Sequence, residues 1–146
     1  GRTGPAQALA LRMEEGKGYG HCNTDVYAVG VVRSFLTRHG RGPIFGESTL
    51  GNASDLIYAQ DPTNKQNPWQ GKIELREWDE DLLSYAIDRV LQEVDAFDLD
   101  SSCFRVGVTW EDVFSPERVY SVLKKHGIPL AFTSTGPRTE QISRWT

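Results

Sequence analysis

The chain has 146 residues, of which 38% are hydrophobic and 25% charged, and its formal net charge is −4. This length fits a single globular domain over residues 1–146, and the composition excludes collagen, a long coiled coil and bulk disorder. No apolar run reaches the roughly 18 residues that a bilayer span requires, so we expect a soluble domain without a membrane partner. Because the sequence begins with Gly1 and not Met, a fragment of a larger protein is an open alternative.

Charge and cysteine content narrow the class of function further. Residues 74–112 contain twelve acidic and three basic side chains, a net charge of −9, while residues 1–73 and 113–146 carry +2 and +3. An acidic chain favours a protein as its partner, although nucleic acid stays open. The cysteines, Cys22 and Cys103, form no metal-binding pair, so we expect no cofactor and assign no metal ligand. Their small number favours an intracellular (cytoplasmic) compartment over secretion.

The first half of the chain contains two predicted helices and two predicted strands. A helix over Ala6–Glu15 is followed by one over Thr24–Gly40, in which valine, phenylalanine and leucine recur at helical spacing. The β-branched residues of the second helix lower its helix propensity. Leu56–Ala59 and Lys72–Trp78 have strand patterns. The segment between them, Asp61–Gly71, is rich in turn-forming residues, and we expect it to be an exposed loop.

The second half of the chain alternates helix and strand. A helix with one apolar face runs over Asp79–Val94, and a second begins at Ser115 and ends before Gly127. The predicted strands Phe104–Trp110 and Ile128–Phe132 flank that second helix. A crossover of this length normally makes its two strands parallel. The predicted fold class is therefore α+β (or α/β), with a mixed sheet of about four strands, helices packed on it and a C-terminal βαβ unit.

A thiol lies in a glycine-rich turn directly before the predicted helix over Thr24–Gly40. In Gly18–Asn23, the neighbouring helix N-terminus would favour the thiolate of Cys22 as a nucleophile. This short pattern is similar to papain-like thiol hydrolases, and the resemblance implies a distant histidine, for which His126 has a plausible separation. The alternatives are a small buried hydrophobe for Cys22 and a helix-end residue for His126.

A second pattern is typical of metal-dependent nucleases. Asp55 or Asp61, followed by Glu74-Leu75-Arg76, is similar to the restriction-endonuclease fold, in which Asp and Glu-x-Lys surround a divalent ion. Arg76 stands at the lysine position, and an arginine is a poor proton acceptor. As an alternative, Glu74 and Arg76 simply occupy the wet face of a strand.

Polar residues follow the two C-terminal strands that are predicted to be parallel. Because the carboxyl ends of parallel strands meet at one sheet edge, where open α/β sheets bind ligands, we expect these residues to converge. They could hold an anionic group or a peptide carboxylate there, or could form an ordinary loop exit. The residues are Trp110, Glu111, Asp112, Ser134, Thr135 and Arg138.

These patterns lead to three hypotheses about function. The first is a macromolecule-binding or regulatory domain without its own complete catalytic site, which engages a protein through the acidic region and the 61–71 loop. Trp69 is the candidate contact residue in that loop, since exposed tryptophans are enriched at interfaces. The second is a cysteine-nucleophile hydrolase using Cys22, and the third is a metal-dependent nuclease-like domain. The sequence leaves the oligomeric state open.

Overall fold

The computed structural model of this chain describes residues 28–39, 43–46, 68–69, 71, 73–96 and 104–144. Within these ranges the strands are β1 (Ala28–Arg33), β2 (Leu36–His39), β3 (Ile73–Arg76), β4 (Phe104–Thr109), β5 (Leu130–Ser134) and β6 (Ile142–Arg144). The described helices are α1 (Glu80–Ala96), α2 (Glu117–Lys125) and a 3-10 turn over Thr139–Gln141. The helix, strand, helix and strand predicted for the second half of the chain are confirmed, with boundaries shifted by a residue or two.

The main sheet contains four strands in the order β1-β4-β5-β6. β4 pairs in parallel with both β1 and β5, and β6 lies antiparallel to β5 at the edge. Because α2 connects the parallel strands β4 and β5, the predicted C-terminal βαβ unit is present. The mixed sheet with its helices confirms the α+β fold class. β2 and β3 form a separate antiparallel ribbon.

The prediction of a helix over Thr24–Gly40 is wrong. Its described part, residues 28–39, forms strands β1 and β2. In β1, Val29 and Val31 are exposed, whereas Val32 packs against the main core, which is the two-residue alternation of a strand. Branching at Cβ stiffens these valines and favours the pleated backbone, and the parallel pairing with β4 provides the hydrogen bonds that a helix would otherwise make internally.

The larger core lies between the main sheet and the two helices. α1 begins after Asp79, as predicted, since the Asp79 carboxylate accepts a hydrogen bond of 2.9 Å from the backbone N–H of Leu82. The buried residues of this core are Leu83, Ile87, Phe104, Val106, Val108, Val119, Val122, Leu123 and Ile128. The core therefore fixes β4 and β5 against both helices and leaves their carboxyl ends at one edge of the sheet.

A smaller cluster lies where the β2–β3 ribbon meets the end of β4. Phe35, Ile73 and Leu75 are buried in it. Trp110 and the turn that follows it pack against this cluster. The cluster thus connects the ribbon to the segment after β4, which is one of the segments predicted to bind a ligand.

Several predictions lie wholly or partly outside the described residues. These are the helix over Ala6–Glu15, the strand over Leu56–Ala59 and most of the loop over Asp61–Gly71. Within that loop, residues 68–69 form a turn, and Trp69 is 93% exposed. β3 confirms the centre of the predicted strand over Lys72–Trp78. Neither of the described α-helices combines the length and the apolar character needed to cross a bilayer.

Candidate ligand pocket at the carboxyl ends of β4 and β5

A cavity of about 490 Å³ lies at the carboxyl ends of β4 and β5. This volume falls within the range of roughly 300–1,000 Å³ that is usual for small-molecule sites. The lining comes from both strands, the segments after them and β6, and consists of Thr109, Trp110, Asp112, Phe132, Ser134, Gly136, Pro137 and Ile142. Aromatic and aliphatic walls with a few polar groups are typical of a site for a small, partly apolar ligand.

The segment after β4 forms the first wall of the cavity. Its backbone turns at Trp110, which has a left-handed conformation with φ +66°. It is the one non-glycine residue with positive φ among those the structure describes, and such a conformation costs about 1–3 kcal/mol. Hydrogen bonds hold it in place. The Trp110 carbonyl accepts from the Ser34 hydroxyl at 2.7 Å and from the backbone N–H groups of Val113 and Phe114 at 3.2 and 3.4 Å.

The indole ring of Trp110 is held by side chains from the corner between β1 and β2. The ring of Phe35 meets it edge-on, with centroids 6.0 Å apart and planes at 74°. The guanidinium carbon of Arg33 lies over the indole, 5.8 Å from its centroid, which is within cation–π distance. The wall of the cavity is therefore fixed by both the backbone and the side chain of Trp110.

Glu111 supports the cavity and is not part of its lining. Its carboxylate accepts a hydrogen bond from the Tyr120 hydroxyl on α2, and its backbone N–H donates to the Ser134 carbonyl at 3.2 Å. Burial raises the pKa of Tyr120 above its ordinary range, and the hydrogen bond to Glu111 and the charge of Glu111 raise it further. These contacts attach the turn to α2 and β5, and they leave Asp112 as the carboxylate among the lining residues.

Tyr120→Phe should lower the free energy of unfolding by about 1–2 kcal/mol, because it removes a hydrogen bond to a charged group. It should also flatten the alkaline pH dependence. Since the Tyr120 pKa is raised above its ordinary value of 10.0, this group stabilises the fold fully below about pH 10 and progressively less above it. Urea unfolding at about pH 8 and about pH 11 should show a smaller decrease for the variant than for the wild type.

Tyr85→Phe is the matched control for that measurement, because Tyr85 is 63% exposed on α1. It should change the free energy of unfolding by less than about 0.5 kcal/mol. If Tyr120→Phe and the wild type lose stability equally between the two pH values, neither burial nor the hydrogen bond to Glu111 raises the pKa of Tyr120 in solution.

The loop after β5 forms the second wall of the cavity. The Ser134 hydroxyl donates to the Gly136 carbonyl at 2.7 Å and lies 3.4 Å from the Gly136 nitrogen, so the chain bends tightly. A Cβ on Gly136 would come too close to the side-chain amide of Gln141, so an alanine there would displace that side chain. Gln141 closes the loop, since it accepts hydrogen bonds from the backbone N–H groups of Thr135 and Arg138, both at 3.1 Å.

The structure brings together only part of the predicted binding set. Trp110, Asp112 and Ser134 line the cavity, and Trp69 is not among its lining residues. The Arg138 side chain is 77% exposed and lies 3.8 Å from a carboxylate oxygen of Glu140. Glu111, Thr135 and Arg138 are not among the lining residues, and they form hydrogen bonds within the segments that do line the cavity.

Other lining residues were missed by the sequence prediction. Phe132 was expected only as the end of a buried strand, and β6, which contributes Ile142, was not predicted. The alternation of Ile142-Ser143-Arg144 is the signal that could have revealed this strand, although three residues make it weak.

The structure describes one of the two residues of the thiol hydrolase hypothesis. His126 ends α2, and its backbone N–H donates to the Val122 carbonyl at 3.1 Å, which fits the helix-end alternative. Its Nδ1 lies 3.4 Å from an Asp88 carboxylate oxygen, and its Nε2 is buried without a hydrogen-bond partner. Cys22 lies outside the described residues, so the thiol–imidazole pair stays a prediction.

The residues of the nuclease hypothesis lie on the β2–β3 ribbon. Glu74 is exposed on β3, and Arg76 donates to the Gly46 carbonyl at 3.4 Å. Asp55 and Asp61 lie outside the described residues. Within the described ranges, no group of three His, Cys, Asp or Glu side chains is placed to hold a metal ion. The nuclease-like function stays a prediction.

Comparison with known proteins gives a structural likeness. No family model and no curated protein matches the sequence. The fold is similar to that of the cyanophage S-2L succinoaminodeoxyadenylate synthetase (PurZ), solved bound to dGMP and to dATP as an energy donor. The TM-score is 0.54 at 13% sequence identity, and the match covers 93% of this chain but 38% of the synthetase. At this identity the likeness shows a common fold alone.

Proposed function

We propose that this chain binds a purine nucleotide, with the base in the cavity at the carboxyl ends of β4 and β5. The observation that carries the proposal is the lining of that cavity. It combines the aromatic residues Trp110 and Phe132 with the Asp112 carboxylate and the Ser134 residue. A flat heteroaromatic ring matches such a lining, because its faces contact aromatic walls while its edge forms hydrogen bonds.

The position of the cavity supports the same function. In open sheets with parallel strands, ligands bind outside the carboxyl ends of the strands, and β4 lies between two parallel neighbours. The two walls are joined by the hydrogen bond from Glu111 to Ser134, so the site is largely formed before a ligand arrives. A preformed site loses less conformational entropy on binding. The synthetase of similar fold was solved with two purine nucleotides, dGMP and dATP.

Asp112 is the residue that we expect to select the base. A carboxylate only accepts hydrogen bonds when it is ionised, and its two oxygens can receive two adjacent donors. Guanine presents such a pair, a ring N–H next to an exocyclic amino group, whereas adenine presents its amino group beside ring acceptors. Guanine nucleotides should therefore bind more tightly than adenine nucleotides.

Calorimetric titration with GMP, AMP and CMP tests this function. We expect GMP to bind most tightly, and Asp112→Asn to weaken GMP binding by about tenfold or more, because one hydrogen bond to a charged group is lost. Asp95→Asn is the control, since Asp95 is exposed on α1 and does not line the cavity. Absence of heat with both purine nucleotides at millimolar concentration would refute the proposal. Equal GMP affinity in Asp112→Asn would refute the role of Asp112.

The macromolecule-binding role predicted from the sequence is a second proposal. It is supported by the 93% exposure of Trp69, because a tryptophan at an interface buries a large area. A nucleotide pocket and a protein contact at Trp69 are compatible, since Trp69 does not line the cavity.

A further inference from the structure

Ser34 contacts the segment that forms the first wall of the cavity, although it does not line the cavity itself. It lies directly after β1 and is 2% exposed. Its backbone N–H donates to the Thr109 carbonyl at 2.8 Å, and its hydroxyl donates to the Trp110 carbonyl at 2.7 Å. Two successive carbonyls of the chain leaving β4 are therefore bound by one residue from the neighbouring strand.

The second of these hydrogen bonds requires a hydroxyl side chain. In a regular strand, successive carbonyls point in opposite directions. Because the Thr109 carbonyl points toward the β1 side, the Trp110 carbonyl would then point toward β5. The Trp110 carbonyl departs from this pattern, because the backbone turns left-handed at Trp110. Any residue except proline at position 34 could donate its N–H to Thr109, but only a side-chain donor reaches the carbonyl of Trp110.

The other bonds to the Trp110 carbonyl come from within the turn itself. Val113 and Phe114 lie three and four residues after Trp110, so their N–H groups shape the turn but do not attach it to the sheet. Among the hydrogen bonds to this carbonyl, the one from Ser34 attaches the turn to the end of β1, while Glu111 attaches the same turn to β5 and α2. The neighbours of Ser34, which are Arg33, the last residue of β1, and Phe35, contact the indole ring of Trp110. Three consecutive residues at the end of β1 therefore hold Trp110 in the cavity wall.

We infer that Ser34 is a positioning residue of the proposed purine site, and that its hydroxyl sets the direction of the turn that carries Asp112. This inference rests on the proposed function. A left-handed conformation is unfavourable for tryptophan, so without the hydroxyl the turn relaxes toward other backbone conformations. Asp112, two residues further along, then no longer faces the edge of the base in one fixed position.

Ser34→Ala, compared with Ser84→Ala, tests this role. Ser84 lies on α1, and its hydroxyl is buried without a hydrogen-bond partner, so its removal breaks no such bond. We expect Ser34→Ala to weaken GMP binding by about tenfold, and Ser84→Ala to leave it unchanged. Fluorine NMR of protein labelled with 5-fluorotryptophan provides a second readout. The Trp110 signal, assigned with Trp110→Phe, should shift or broaden in Ser34→Ala but not in Ser84→Ala.

A third variant and three results that would refute the proposals complete the test. Ser34→Cys nearly preserves the size of the side chain but is a weak donor, so its effects should lie between those of the wild type and Ser34→Ala. It also replaces Ser34→Ala if that variant fails to fold. Wild-type protein that does not bind GMP would refute the proposed function, whereas an unchanged Trp110 signal in folded Ser34→Ala would overturn the role of Ser34 independently. Unchanged GMP affinity in Ser34→Ala would also overturn it.

Discussion

Phe35→Ala should lower the free energy of unfolding by about 3–4 kcal/mol, because it removes a fully buried aromatic ring. Phe35 is 1% exposed, and among the described residues its cluster contains two other buried side chains, Ile73 and Leu75. The variant also loses the edge-on contact with Trp110, so the cavity wall should become less ordered as well. Urea unfolding followed by circular dichroism measures the loss of stability.

Two controls distinguish the loss of packing from a general effect of the substitution. Phe45 is 63% exposed, so Phe45→Ala should change the stability by less than about 0.5 kcal/mol. Phe35→Leu keeps most of the apolar volume and should cost about 1–1.5 kcal/mol. A loss below about 1 kcal/mol in Phe35→Ala would contradict the buried position of this ring.

The C-terminal half of the fold was predictable because each element carries its own local signal. Asp79 marks the start of α1 through a side-chain hydrogen bond to the first turn. Gly127 follows the end of α2 with φ +65°, a conformation that favours glycine. β4, between the two helices, alternates large apolar residues with polar residues or glycine, and the strand predicted after α2 is short and apolar. β4, α2 and β5 are consecutive elements of the chain. Because two strands joined by one helix normally pair in parallel, the pairing of β4 with β5 was predictable from this order.

β1 was not predictable in the same way, because its hydrogen-bond partner is far along the chain. Ala28 pairs with Phe104 across the intervening ribbon and α1. The valines of residues 28–33 fit both a helical and a strand pattern over so short a length. Only the pairing with β4, which no local signal reveals, decides between them.

The sequence predicted where in the sheet the candidate site lies, but it predicted only some of the side chains that line it. Because ligands bind at the carboxyl ends of parallel strands, we expected Trp110, Asp112 and Ser134 to lie close together. In the structure all three line one cavity. The left-handed backbone of Trp110 was not predictable, since tryptophan rarely adopts it. It depends on a hydrogen bond from Ser34, which is distant in sequence.

Gly107→Ala should weaken GMP binding strongly and lower the free energy of unfolding by about 1–3 kcal/mol through overpacking. Gly107 is the register partner of Phe132 on β5. A Cβ at position 107 would lie 2.3 Å from the Cε1 and Cζ atoms of Phe132, which is too close for any real contact. The Phe132 ring must therefore move, and this ring lines the proposed purine site.

A double-mutant cycle with Phe132→Ala separates this cause from a general weakening of β4. The three atoms nearest to a Cβ at position 107 all belong to the Phe132 ring, so without that ring Gly107→Ala should cost little further stability or GMP affinity. The two substitutions should therefore be strongly non-additive, as expected for side chains in direct contact. Additive losses would mean that the alanine acts on the β4 backbone and not through the ring of Phe132. Gly107 would then be required by the backbone conformation of β4. Non-additive losses would instead show that Gly107 leaves space for the Phe132 ring, which forms an aromatic wall of the cavity.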